Sequence, residues 1–187
     1  MSMKGDKKPV AFIEDCAVSL DHLADYTAQL KEIFKKYNTS GMFYAHASVG
    51  TLHIRPVLNM KSDEDIKNMR SISEESFEIV KNYKGSHSGE HGDGIVRSEF
   101  HEMMFGKKIV NAFEEIKDTF DSKNLLNPGK IVRPFKSNDR DLMRYKSGYQ
   151  AQNISTHYDW SNWGQFTDAV EMCNNNGACR KLDSGVM

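Results

Sequence analysis

The chain has 187 residues, 39% of them hydrophobic, with 25 Lys and Arg against 26 Asp and Glu and a net charge of −1. That length supports one domain with a sizeable core, and the charge balance excludes a surface built to neutralise nucleic-acid phosphates. No apolar run approaches the length that spans a bilayer, the opening MSMKGDKKP lacks a signal peptide's apolar core, and three cysteines make no disulfide framework, which together point to a reducing, cytoplasmic setting.

Residues 9–15, PVAFIED, are apolar and β-prone and predict a strand. The stretch SLDHLADYTAQLKEIFKKYN has apolar residues at 23, 26, 30, 33, 34 and 37, which is helical spacing with Ser19 or Asp21 as N-cap. Residues 41–58 are aromatic and β-branched around Val49-Gly50 and predict two strands joined by a tight connection. Ser62-x-x-Asp65 opens a long helix with Ile66, Met69, Phe77, Val80 and Tyr83 on one side, and Gly85 stops it. The glycine-rich GSHSGEHGDG of residues 85–94 follows. A short helix is expected at about 98–105, then a longer one over 107–121 with Ile109, Phe113, Ile116 and Phe120 on one face. Asn127-Pro128-Gly129 is a turn. Beyond Pro134 the chain turns polar and loses its period, apart from a short amphipathic stretch, WGQFTDAVEMC. The order β-α-β-β-α, then helices, predicts α+β: an antiparallel sheet with helices packed on one side, followed by an irregular C-terminal extension. Cys16 reads as a small core residue, and His22, His101 and His157 as ordinary helix or loop residues.

The chemistry concentrates in two places. GSHSGEHGDG puts four glycines, two histidines and a glutamate into ten residues. Glycine holds secondary structure poorly but permits unusual backbone angles and close approach, so the stretch reads as a loop that presents Glu90 and His91. In the hairpin, a turn at Val49-Gly50 pairs residue 46 with 53, which makes His46 and His53 cross-strand neighbours with Cβ atoms about 4.5–5.5 Å apart. Two imidazoles so placed can share a metal ion, with Glu90 as the third ligand. Two His and one carboxylate suit zinc with an open position, or a harder ion such as manganese. Val-Gly is not a favoured hairpin turn, and histidines in hairpins are commonly structural or exposed. Spacing alone therefore leaves a metal site and structural histidines both open.

SGEHGDG, the H-x6-H of HASVGTLH, and NPGKI together resemble the C-terminal domain of FAD-linked 2-hydroxy-acid dehydrogenases, over roughly residues 9–134 in the same order and spacing. These belong to the vanillyl-alcohol-oxidase superfamily and include D-lactate, glycolate and D-2-hydroxyglutarate dehydrogenases. The tail HYDWSNWGQFTDAVEMCNNNGACRK looks like the junction of long forms fused to an iron–sulfur domain, with Cys173 and Cys179 as the first cluster cysteines. Two cysteines do not complete a four-cysteine cluster, so the chain looks like a piece of a larger polypeptide. The resemblance divides it into 9–135, part of the oxidase C-terminal domain, 136–170, a connector, and 171–187, the start of the iron–sulfur domain.

The resemblance implies that His46, His53 and Glu90 hold a divalent metal, zinc or manganese, and that His91 is the catalytic base. The implied reaction oxidises a D-2-hydroxy acid to the 2-keto acid with hydride transfer to FAD, and electrons pass on to the iron–sulfur cluster. Ser86, His87 and Ser88 shape the loop. Where many relatives carry Asn two residues after the second histidine, this chain has Arg55, which either clamps a substrate carboxylate or lies at a surface or flavin edge. Lys130 lines the flavin side. FAD is expected to sit mainly in a missing N-terminal domain, so the piece by itself is expected to be inactive and to expose a face that can dimerise artefactually. The implied localisation is cytoplasmic, with peripheral membrane contact through an electron acceptor as a variant. Two other functions fit the same residues: a zinc-dependent hydrolase and a non-catalytic metal-binding module.

Overall fold

The computed structural model describes residues 3–173, with Gly177 and Arg180 beyond. Its centre is β4 (Thr51–Asn59), which pairs antiparallel with every other strand. On one side it meets β1 (Lys7–Pro9) and β2 (Cys16–Ala17), and on the other β3 (Gly41–His46). Side chains alternate across a strand, so Leu52, Ile54 and Leu58 point to one face and Thr51, His53 and Arg55 to the other. The first face packs with α1 (Leu23–Lys36) and α2 (Asp63–Asn82), joining Tyr26, Leu30, Phe34, Met69, Ile72, Phe77 and Val80 in one core. The protein is α+β, an antiparallel sheet backed by helices, as the element order predicts.

The N-terminal segment departs from the predicted strand over 9–15. Pairing occurs only at its ends, in β1 and β2, and residues 10–15 turn between them. Phe12 and Ile13 go into the core, and Asp15 takes φ +85°. An apolar run marks burial, and here a turn meets that demand as well as a strand does.

The hairpin register also differs from the predicted one. His46 pairs with Thr51, and Tyr44 pairs with His53. The connection is a 3-10 turn, Ala47–Val49, closed by Gly50, whose N–H donates to Ala47 O at 3.3 Å. A two-residue turn would need a left-handed conformation at β-branched Val49. The longer loop leaves that angle to Gly50 alone, at φ +73°. Gly50 also has no room for a side chain, since a Cβ would lie 1.9 Å from Val18 O.

Helix α2 begins as predicted, with Ser62 Oγ accepting from Asp65 N. It ends with Lys84 at φ +54°, so the left-handed residue is not Gly85. Gly85 is required for close approach instead, because a Cβ there would lie 2.3 Å from Ala17 O. The expected helix at 98–105 is two short ones, α3 (Gly94–Ser98) and α4 (His101–Phe105), followed by α5 (Lys107–Phe120). Residues 136–170 run back over the open end of the sheet. Arg140 donates to Met60 O and Lys61 O, Ser137 donates to Glu99, and the stretch ends in α6 (Phe166–Val170). Among the described residues no helix is long and apolar enough to cross a membrane.

Candidate functional site

The glycine-rich loop lies across the sheet face opposite the helices, and Asp15 fixes it there. The fully buried Asp15 carboxylate accepts from Glu90 N at 3.0 and 2.9 Å and from His91 N at 2.8 Å. Its carbonyl accepts from Gly89 N at 2.7 Å. A Cβ on Gly89 would lie 3.1 Å from that carbonyl, so the loop approaches closely because residue 89 has no side chain. At the far end of the loop, Ser86 bridges to Ala17 of β2. Both side chains of the Glu-His pair thereby face one groove, which an extended chain would not allow.

In that groove one oxygen collects three imidazoles. Glu90 Oε1 lies 3.3 Å from His46 Nε2, 3.1 Å from His53 Nε2 and 3.5 Å from His91 Nε2. His46 and His53 are diagonal rather than directly opposed, yet their rings meet edge-on at 4.9 Å. The two-residue change of register preserves the face, since the side-chain period is two. His53 is buried, while His46, Glu90 and His91 are half exposed to the groove. The His91 ring stacks on His53 at 4.7 Å and 7°.

Glu14 is the partner that sequence reasoning missed. Its carboxylate is buried, binds Arg55 through both oxygens, and lies 3.3 Å from His91 Nδ1. The Arg55 guanidinium holds the Glu14 carboxyl below the usual carboxylate range against the opposing effect of burial. Glu14 is therefore an anion beside His91. The only trace of Glu14 and Asp15 in the sequence is two consecutive acids after an apolar run.

Arg55 lies on the groove wall, with its Nε and Nη2 engaged by Glu14. The groove encloses about 630 Å3 and is lined by Met42, Tyr44, His46, His53, Arg55 and His91 among others. Lys130 is not brought to it. Its Nζ lies 3.3 Å from Asn127 Oδ1, and it borders a separate apolar groove under α5 with Ile116 and Phe120. Cys173 is exposed, and Cys179 lies outside the described residues.

The donor set fits a divalent cation. Ligand atoms that share one tetrahedral zinc at about 2.0–2.2 Å stand about 3.3 Å apart, and the His46 and His53 nitrogens stand at 3.3 and 3.1 Å from Glu90 Oε1. The set whose ligand atoms all lie within 4.8 Å of one another is Asp15, His53, Glu90 and His91, and His46 joins it through Glu90 Oε1. Asp15 is already committed to the loop's N–H groups, so it acts as the frame and not as a ligand.

A sheet face with two histidines, closed over by a Glu-His pair on a glycine loop, defines a domain that gathers a carboxylate and imidazoles at one open groove. Residues 1–131 match the FAD linked oxidases, C-terminal domain, and the chain belongs to that family. It is 34% identical over 186 residues to the D-2-hydroxyglutarate dehydrogenase of Pantoea ananatis, covering 97% of this chain and 17% of that protein. The D-2-hydroxyglutarate dehydrogenase of Haemophilus influenzae is 35% identical over 180 residues, covering 96% of this chain and 17% of that protein. The D-lactate dehydrogenase of Archaeoglobus fulgidus is 30% identical over 133 residues, covering 71% of this chain and 29% of that protein. The chain thus spans about a sixth of the length of the first two relatives.

Proposed function

We propose that the chain supplies the metal-and-base half of an FAD-dependent dehydrogenase that oxidises a D-2-hydroxy acid, of the D-2-hydroxyglutarate, D-lactate or glycolate kind, to the 2-keto acid. The observation that carries this is the convergence of His46, His53 and His91 on one oxygen of Glu90, in a domain whose relatives are named for such dehydrogenases. His46, His53 and Glu90 would hold the cation. When bound, the cation supplies a Lewis acid that lowers the pKa of a substrate hydroxyl, and FAD supplies the hydride acceptor.

The rest is the work of the chain. Glu14, an anion 3.3 Å from His91 Nδ1, is placed to accept a hydrogen from that nitrogen and so orients the ring. Nε2 faces the groove and takes the hydroxyl proton, for which an imidazole is well matched near neutral pH. Stacking on His53 fixes the plane of the base. Arg55 leaves only part of its guanidinium for a substrate carboxylate, since two of its nitrogens hold Glu14. FAD binding belongs to the remainder of a longer polypeptide in the cytoplasm. There, residues 136–170 connect to an iron–sulfur segment that begins with Cys173 and Cys179.

The test is a chimera in which residues 1–135 replace the matching segment of the Pantoea ananatis enzyme, assayed for flavin reduction by D-2-hydroxy acids. His91→Gln is expected to lower the rate about 10²–10⁴-fold, and His46→Ala/Glu90→Gln to abolish it. An undiminished rate after either change overturns the assignment.

A further inference from the structure

The glycine-rich loop has a second face. His87 turns inward from it and is 1% exposed. Phe77 and Phe105 pack edge-on against its ring at 5.4 and 5.7 Å. Both of its ring nitrogens are buried without a hydrogen-bond partner. A buried polar group left unpaired carries an energetic cost and calls for an explanation.

Asp93, at the start of α3, and His101, at the start of α4, complete the cluster. His101 is 2% exposed, and its Nε2 lies 3.2 Å from Asp93 Oδ2. His87 Nε2 lies 3.7 Å from Asp93 Oδ1. One ligand atom from each of the three falls within 4.8 Å of the other two, near enough to close on one shared ion.

The second nitrogen of His101 sets its chemistry. His101 Nδ1 lies 3.0 Å from Ile131 O. A carbonyl only accepts, so Nδ1 carries the hydrogen, while Nε2, buried without a hydrogen-bond partner, faces a carboxylate that also only accepts. An imidazole anchored by its remote N–H to a backbone carbonyl is the usual arrangement of a metal-ligating histidine. That carbonyl is itself held in place. Ile131 takes φ +66°, rare for a β-branched residue, and its N–H donates to Ser98 Oγ at 3.0 Å.

We propose that His87, Asp93 and His101 form a second, buried divalent-cation site that ties the glycine-rich loop to α3 and α4. Two imidazoles and one carboxylate favour zinc over calcium or magnesium. Phe77, Phe105 and Phe113 close over the rings, so the role is structural, and the cation braces the end of the loop opposite His91. His87 and Asp93 lie in the glycine-rich stretch, but nothing in the sequence joins them to His101, which reads as an ordinary helix residue.

The test uses the whole chain, stripped with a chelator, reloaded with zinc and measured by mass spectrometry. Wild type is expected to hold two zinc ions per chain and the His46→Ala/Glu90→Gln variant one, with a melting temperature that rises on zinc addition. Adding the isosteric Asp93→Asn to that variant should remove the remaining ion, or weaken it at least about tenfold, and abolish the zinc-dependent shift. Circular dichroism of the metal-free forms checks that they are folded. If the His46→Ala/Glu90→Gln chain holds no zinc, or holds zinc that Asp93→Asn leaves unchanged, the site does not exist and His101 is a protonated partner of Asp93. The variant removes the groove's own ligands, so this proposal and the dehydrogenase assignment fail separately.

Discussion

Helices α1 and α5 are each 14 residues long and carry apolar residues at the same spacing, yet only one is covered. α1 buries Tyr26, Leu30, Ile33 and Phe34 against the sheet and α2. α5 buries none of its residues, and Ile109, Ile116 and Phe120 stand exposed, beside Leu125 and Leu126. Periodicity therefore defines a face without defining what lies on it. α1 has a sheet of matching length beneath it. α5 follows two short helices and lies against α4 and residues 126–132, and its outer face meets no second layer among the described residues.

Three substitutions make the contrast measurable. Leu30→Ala, in the covered face, should cost about 2–5 kcal/mol in denaturant unfolding. Glu14→Gln should cost about 1–3 kcal/mol, because a buried charged hydrogen-bond pair with Arg55 is lost. Its pH dependence has a definite sign. The folded Glu14 carboxyl is held below its ordinary value of 4.5, so its contribution is fully present above that pH and fades as pH falls through the folded value. The gap between wild type and Glu14→Gln should close in the same direction. Phe120→Ser, in the open face, should change stability by no more than about 0.5 kcal/mol, while light scattering shows less self-association. A loss comparable to that of Leu30→Ala would mean that α5 is covered after all.

Much of the fold was legible in the sequence, and the reasons are local. The 3.6-residue pattern of α1 and α2, the Ser62 cap and the alternation along β4 all depend on near neighbours. The candidate site was legible in part. The glycines and the Glu-His pair announced a presenting loop, and the H-x6-H spacing kept both histidines on one face even with the pairing register out by two residues. Glu14, Asp15 and the His87–Asp93–His101 cluster were not legible. Each acts only through contacts formed by the three-dimensional arrangement, and Asp15 lay inside a run whose apolar character predicted a strand.

The hydrogen bonds that Asp15 accepts from the N–H groups of Glu90 and His91 cross 75 and 76 positions of sequence. Contacts of that separation incur loop-closure entropy before they return any energy. Placement of Glu90 and His91 is therefore coupled to docking of the N-terminal segment that carries Asp15. If His46, His53 and Glu90 hold the proposed cation, its affinity would serve as a built-in gauge of whether the N-terminal segment has docked on the glycine-rich loop.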